Sequence, residues 1–212
     1  MSVSLGRRET FELLAARQTR AVQEKLTRGR VAIAGLGGLG SNVALALARS
    51  GVGALKLIDF DLVDSTNIHR QAYFLRHVGK AKVEALAELI AEINPWVELS
   101  LDSATLSADN MADKLGGWPI IIEALDLAES KAELVNIVLA ELPEARVICA
   151  SGLAGLKSAN HIVGLKLTPR LFICGDGQSE VAEGVCLMAP RVMVCAGHQA
   201  NLAVNLIVNG DI

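Results

Sequence analysis

Apolar residues recur at helical spacing over residues 9–28, at Phe11, Leu14, Ala15, Val22 and Leu26, which predicts an opening helix. RVAIAG, from residue 30, then reads as a buried strand, and Ser41–Ser50 as a helix with several glycines at its start. ALKLIDFD (54–61) predicts a second strand ending in acids. DLVDSTNIHRQAYF (61–74) has no period and predicts a loop with at most one helical turn. Gly79–Ile93 is amphipathic and closes on Asn94-Pro95, as a helix should. WVELSLDS (96–103) alternates as a strand does, and residues 107–115 suit a short helix. WPIIIEALD (118–126), ESKAELVNIVLAEL (129–142) and ARVICASG (145–152) predict strand, helix and strand. Beyond them the pattern loosens. ANHIVGLKL and RLFICG read as two shorter strands that could pair antiparallel, GDGQSEVAEG (175–184) as a mobile loop, and PRVMVCAGHQANLAVNLIV (190–208) as a closing helix.

Strand and helix alternate through the first three quarters of the chain. That pattern predicts an α/β fold of the Rossmann-like, doubly wound kind. The sheet should be mostly parallel, with an N-terminal helix and a small C-terminal antiparallel extension.

Composition agrees with that reading and removes some functions. Of 212 residues, 51% are apolar and 20% charged, enough to bury a sizeable core, and aromatic residues are only 3%. Ala, Leu, Val and Ile therefore do the packing, as in a buried parallel sheet. The net charge is −3, and no basic block stands out, so a nucleic-acid partner is not expected. The four cysteines (149, 174, 186 and 195) include no C-x-x-C pair, so zinc is not expected either. No apolar run reaches membrane-spanning length and no signal-peptide core precedes the first helix. A cytoplasmic protein with reduced thiols is expected.

The candidate chemistry begins at GLGGLG, residues 35–40. Gly35, Gly37 and Gly40 satisfy G-x-G-x-x-G between a strand and a helix, where the first helical N–H groups face an anion. Asp59 closes the second strand, as an acid that binds ribose hydroxyls would. These features suit NAD and ATP equally. Residues farther along the chain tip the balance. Asp61, Asn67, Arg70 and Gln71 share one loop, Lys82 comes twelve residues after Arg70, and Asp126 stands after the third apolar strand. Two cations and an amide suit a polyphosphate whose charge grows during transfer, and an Asp at a strand's carboxyl end suits Mg²⁺. The plainer alternatives are a surface lysine, a salt-bridged arginine and, for Asp126, a helix cap.

The order GLGGLG, DFD, N-x-x-RQ, a Lys a dozen residues on, then an Asp after an apolar strand resembles the ThiF/MoeB/HesA family of adenylyltransferases. Met188-Ala189-Pro190 and Gln199-Ala200 are also similar to it, and the short length resembles the bacterial branch assigned to thiamine biosynthesis. The resemblance implies one domain over residues 1–212, with an N-terminal helical segment (1–28), a nucleotide-binding core (29–151) and a C-terminal part (152–212). It implies that Gly38 and its neighbours contact ATP phosphates and that Asp59 holds the ribose. Asn67 and Arg70 would grip phosphates with Gln71 in support, Lys82 would stabilise charge at the α-phosphate, and Asp126 would bind Mg²⁺. Asp61 would shape the loop. The implied partner is a ubiquitin-like sulfur-carrier protein ending in Gly-Gly, acted on by a homodimer.

Two family features do not transfer cleanly. A count back from the glycine loop to the arginine that reaches a partner subunit's site falls on Phe11, leaving Arg8 or Arg17 as candidates. Cys186 lies in the region where some members carry a sulfur-handling cysteine, but its spacing to the MAP segment differs. Competing readings are an NAD-dependent oxidoreductase, a non-catalytic binder of a ubiquitin-like protein, and an enzyme that activates a carboxylate on a modified tRNA base.

Overall fold

In a computed structural model that describes residues 5–179 and 184–211, seven strands form one sheet. The strands are β1 (Arg30–Ala34), β2 (Ala54–Ile58), β3 (Glu98–Asp102), β4 (Ile120–Glu123), β5 (Arg146–Ala150), β6 (Val163–Lys166) and β7 (Leu171–Gly175). Their order is β3-β2-β1-β4-β5-β7-β6. All neighbouring pairs are parallel except β6 with β7, so the antiparallel extension is present at one edge. The helices are α1 (Arg7–Gln18), α2 (Arg20–Arg28), α3 (Gly38–Ser50), α4 (Lys82–Ile93), α5 (Ala108–Leu115), α6 (Ala128–Glu141) and α7 (Ala189–Asn209).

Alternation along each strand sorts side chains to two faces. Val31, Ile33, Ile120 and Ile122 enter a core roofed by α2, α3, α4 and α7. Ala32, Ala34, Ile121 and Val147 enter a second core beneath α5 and α6. Burial on both faces explains why these strands are almost uninterrupted apolar runs. The last helix, α7, lies along α3. From β1 the chain winds outward to β2 and β3, then returns to place β4 on the other side of β1. That reversal opens a crevice at the carboxyl ends of β1 and β4.

The expected single helix over 9–28 is two. Thr19 adopts φ 70° and ψ 148°, its hydroxyl accepts from Val22 N, and the chain turns there into α2. Apolar periodicity continues across the break and hides it. The expected strand at 54–61 stops at Ile58, leaving the acids beyond the sheet, and α3 begins three residues earlier than expected. The loop over 61–74 holds one helical turn, the 3-10 turn Ser65–Asn67, as expected, and a second 3-10 turn, Leu75–His77, follows it. The loop expected to be mobile, 175–184, begins as a tied turn. Asp176 accepts from Gln178 N, Ser179 N and the Ser179 hydroxyl. Residues 180–183 of that loop lie outside the described residues.

Candidate active site

The crevice is built around the glycine turn. Gly35 has φ +88°, and a Cβ there would stand 2.5 Å from Ala124 O, so the turn after β1 lies hard against the turn after β4. A Cβ on Gly40 would stand 1.9 Å from Gly35 O, so α3 rests directly on the turn. No side chain caps α3 at Gly37 and its first turn holds no acid. Its leading amides and the positive end of its dipole therefore point into the crevice.

Asp59, 9% exposed, braces this turn: Oδ2 accepts from Leu36 N at 2.6 Å and Oδ1 from Asp61 N at 2.8 Å. Lys82, at the start of α4 and 5% exposed, reaches across from the other side. Its ammonium lies 2.5 Å from Asp61 Oδ2 and 3.5 Å from Asp59 Oδ2. Asp61 is thus the nearer partner of Lys82. The buried hydroxyl of Tyr73 donates to Leu36 O at 2.9 Å. Burial, then the Asp59 and Asp61 carboxylates, push that phenol well above its ordinary range, so it remains a donor.

The loop carrying Asn67, Arg70 and Gln71 is pinned to α3. Asn42 Nδ2 donates to Arg70 O at 3.2 Å, and Ala72 N donates to the Ser41 hydroxyl at 3.1 Å. This brings the Arg70 stem to 3.4 Å from where a Gly38 Cβ would stand, and the Gln71 amide to 3.9 Å from the same point on Gly37. Among the described residues Arg70 has no carboxylate partner, and the Oε1 atom of Gln71 is buried without a hydrogen bond. Asp126 is exposed and forms no cap. The α6 N-cap is Leu127, with no side-chain bond.

Arg70, Gln71 and Lys82 thus stand around the glycine turn. A family model described as the ThiF family matches residues 11–211. The chain belongs to the ThiF family. A tRNA threonylcarbamoyladenosine dehydratase from Escherichia coli is 42% identical over 107 residues, 50% of this chain and 40% of that protein. A molybdopterin-synthase adenylyltransferase from Salmonella typhimurium is 36% identical over 113 residues, 53% of this chain and 45% of that protein. The aligned stretch therefore spans less than half of either relative. The crystal structure of the E. coli dehydratase in complex with ATP superposes with a TM-score of 0.85 at 24% identity, covering 99% of this chain and 98% of that one, and establishes the shared fold.

This ThiF-family chain holds a second polar layer that its sequence pattern does not announce. Glu123, fully buried at the end of β4, pairs with Lys131 of α6 at 2.7 Å. Burial pushes its carboxyl up, opposed by the Lys131 charge and by the amides of Leu125 and Ala150. Gln199 of α7 donates to Glu123 O at 3.0 Å and Ile148 O at 3.2 Å, tying β4 and β5 to the last helix. Arg191, also on α7, pairs with Asp176 at 2.8 Å, both side chains 5% exposed. An acid ending an all-apolar strand and an arginine in a mostly apolar helix are the signals that could have found them.

Other candidates lie away from the crevice or carry no chemistry. Cys149, Cys174 and Cys195 are buried, and Cys186 is exposed, its carbonyl accepting from Gly155 N. Arg8 and Arg17 are exposed on α1. Arg8 lines a cavity of about 400 Å³ with Phe11, Gly51 and Trp96, at the opposite end of the sheet from the glycine turn. Among the described residues no three His, Cys, Asp or Glu side chains gather as a metal site, and no helix is long and apolar enough to cross a membrane.

Proposed function

We propose that this protein is a Mg·ATP-dependent adenylyltransferase that activates the C-terminal glycine carboxylate of a ubiquitin-like sulfur-carrier protein, in thiazole formation for thiamine. One observation carries the reading: Arg70, Lys82 and the unpartnered Gln71 amide converge on the amide-lined glycine turn. A hydride-transfer site has no use for two cations there. The thiamine assignment rests on resemblance to the short family branch.

The carrier's carboxylate is ionised at neutral pH, so the attack on the α-phosphorus needs no general base. A carboxylate oxygen bonds to that phosphorus as the bridge to the β-phosphate breaks, and pyrophosphate leaves with the electron pair. An acyl-adenylate remains. Negative charge builds on the α-phosphate and on the leaving group. Lys82 donates to Asp61 and lies 3.5 Å from Asp59 Oδ2, and an ammonium has three N–H donors, which leaves capacity for a phosphate oxygen. Arg70 supplies a guanidinium that has no carboxylate partner among the described residues and touches only His69 Nε2, at 3.4 Å, and its planar fork is suited to two phosphate oxygens. The α3 amides, which cost no reorganisation, complete the charge complement. Asp126 is suited to Mg²⁺, which such sites bind through one or two carboxylates plus phosphate and water; when bound, it neutralises phosphate charge. A homodimer in which Arg8 or Arg17 serves the other subunit's site belongs to the same proposal.

A second reading, a carboxylate on a modified tRNA base, is favoured by the tRNA-modifying relative. The net charge of −3 argues against a polyanionic partner. ATP–pyrophosphate exchange in Mg²⁺, run with a carrier ending in Gly-Gly and separately with tRNA, decides between them. Carrier-dependent exchange, abolished by Lys82→Ala and Asp126→Ala, is expected. Exchange dependent on tRNA favours the second reading. ATP binding without exchange points to a binder, and preference for NADH over ATP to an oxidoreductase.

A further inference from the structure

Asp126 makes no hydrogen bond of its own among the described residues, so its neighbours alone determine where its carboxylate stands. Those neighbours are unusually constrained. The Glu123 carboxylate accepts from Leu125 N at 2.8 Å, and the Lys131 ammonium donates to Leu125 O at 3.1 Å. One ion pair therefore holds both the N–H and the C=O of the residue immediately before Asp126. The Glu123 Oε2 atom lies 3.5 Å from Ala150 N, and Gln199 holds the Glu123 carbonyl. Behind the turn, Ala124 O abuts Gly35. Glu123 Oε1, the Lys131 ammonium and the Gln199 amide nitrogen each bond the 123–125 backbone.

A buried ion pair is a poor device for stability, because apolar groups of similar volume often serve as well or better. It is a good device for fixing a backbone through both of its polar groups. We infer that Glu123 and Lys131 are positioning residues that hold the Asp126 carboxylate where the nucleotide's phosphates arrive, and so determine how tightly the site takes a divalent cation with ATP. This rests on the adenylyltransferase reading. It adds two residues, neither touching substrate, whose loss weakens cation binding through Asp126.

The test uses Mn²⁺ as a spectroscopic probe. Free Mn²⁺ is followed by electron paramagnetic resonance with protein and ATP, and ATP affinity in EDTA is measured by calorimetry. Partners of a metal-binding side chain alter metal affinity by roughly 10- to 100-fold. Lys131→Met is expected to weaken Mn²⁺ binding at least about 10-fold, with ATP affinity in EDTA within about twofold of wild type. Lys131→Arg, which preserves charge and donors, should recover most of it. Because the pair acts through Asp126, Lys131→Met added to Asp126→Asn should cost little more than Asp126→Asn alone. If Lys131→Met does not fold, Glu123→Gln/Lys131→Met removes both charges together and is expected to show the same weakening. Unchanged Mn²⁺ affinity in the folded variants overturns the inference, as does an equal loss of ATP affinity in EDTA or full additivity with Asp126→Asn. Wild-type protein whose ATP binding ignores Mn²⁺ overturns the adenylyltransferase reading itself, which separates the two failures.

Discussion

Replacing Asp176 with asparagine keeps the side-chain shape and removes one charge from a nearly dry pair. The Arg191 guanidinium opposite it is 5% exposed. It would keep the carbonyls of Leu153, Lys157 and Ser158 as acceptors but lose its only anionic partner among the described residues. Breaking a buried pair costs about 3–5 kcal/mol, and the three remaining carbonyls place this case near the lower figure, about 3 kcal/mol. For a chain of this size each kcal/mol moves Tm by roughly 2–4 °C, so a fall of about 6–12 °C is expected at pH 7. Burial by itself would raise the Asp176 carboxyl, but the Ser179 hydroxyl, the Gln178 and Ser179 amides and Arg191 outweigh it and hold the group well below the usual carboxylate range. A depressed pKa stabilises the fold above the unfolded value, about 3.9, and that contribution is lost as pH falls through the folded value. The gap between wild type and Asp176→Asn should therefore be full at pH 7 and narrow below about pH 4. Calorimetric melts of both proteins from pH 7 to 3.5 provide the measurement. A gap under about 2 °C at pH 7, or one that widens on acidification, would refute the reasoning.

Gly40→Ala places a methyl 1.9 Å from a backbone carbonyl that cannot rotate away, so ATP binding should be lost and stability reduced by about 1–3 kcal/mol; urea unfolding alongside ATP titration tests it, and wild-type binding would count against the packing argument. Tyr73→Phe removes the donor to Leu36 O and should cost about 1–2 kcal/mol in urea unfolding, with no change meaning that the bond contributes nothing net. In the native protein Ellman's reagent should titrate one thiol, Cys186, rapidly, and four in denaturant. Burial pushes Cys149 and Cys195 up to about 12 and Cys174 higher still, so fast reaction of a second native thiol would contradict the described core.

The elements easiest to read from sequence are those whose pattern is local. β1, β4 and β5 show as apolar runs because both sheet faces are covered, and the glycine turn shows because Gly40 must rest on the Gly35 carbonyl five residues before it. The cations and acids that converge on it can be nominated by their order along the chain, since parallel strands deliver their carboxyl ends to one edge. The hidden features depend on partners far away in sequence. Lys131 looks like a surface lysine until Glu123 is placed beneath it, and Arg191 looks anomalous in its helix until residues 153–158 and 176 close around it. Asp176 stands in a loop rich in glycine and polar residues, where composition suggests motion and hydrogen bonding imposes a turn. The break at Thr19 is invisible for the opposite reason: α2 resumes the same apolar periodicity.

The glycine turn is translated early, but its surroundings arrive late. Val192 of α7 stands 3.1 Å from where a Cβ of Gly38 would lie, and Gln199 bridges the ends of β4 and β5. A growing chain therefore presents a nucleotide turn with no roof from the time Asp59 leaves the ribosome until Asn209 emerges, roughly 8–30 s at ~5–20 residues per second. Over that interval the apolar faces of α3 and the central strands that α7 covers lack their last layer, and ATP can stabilise the fold only to the extent that the turn it binds has assembled.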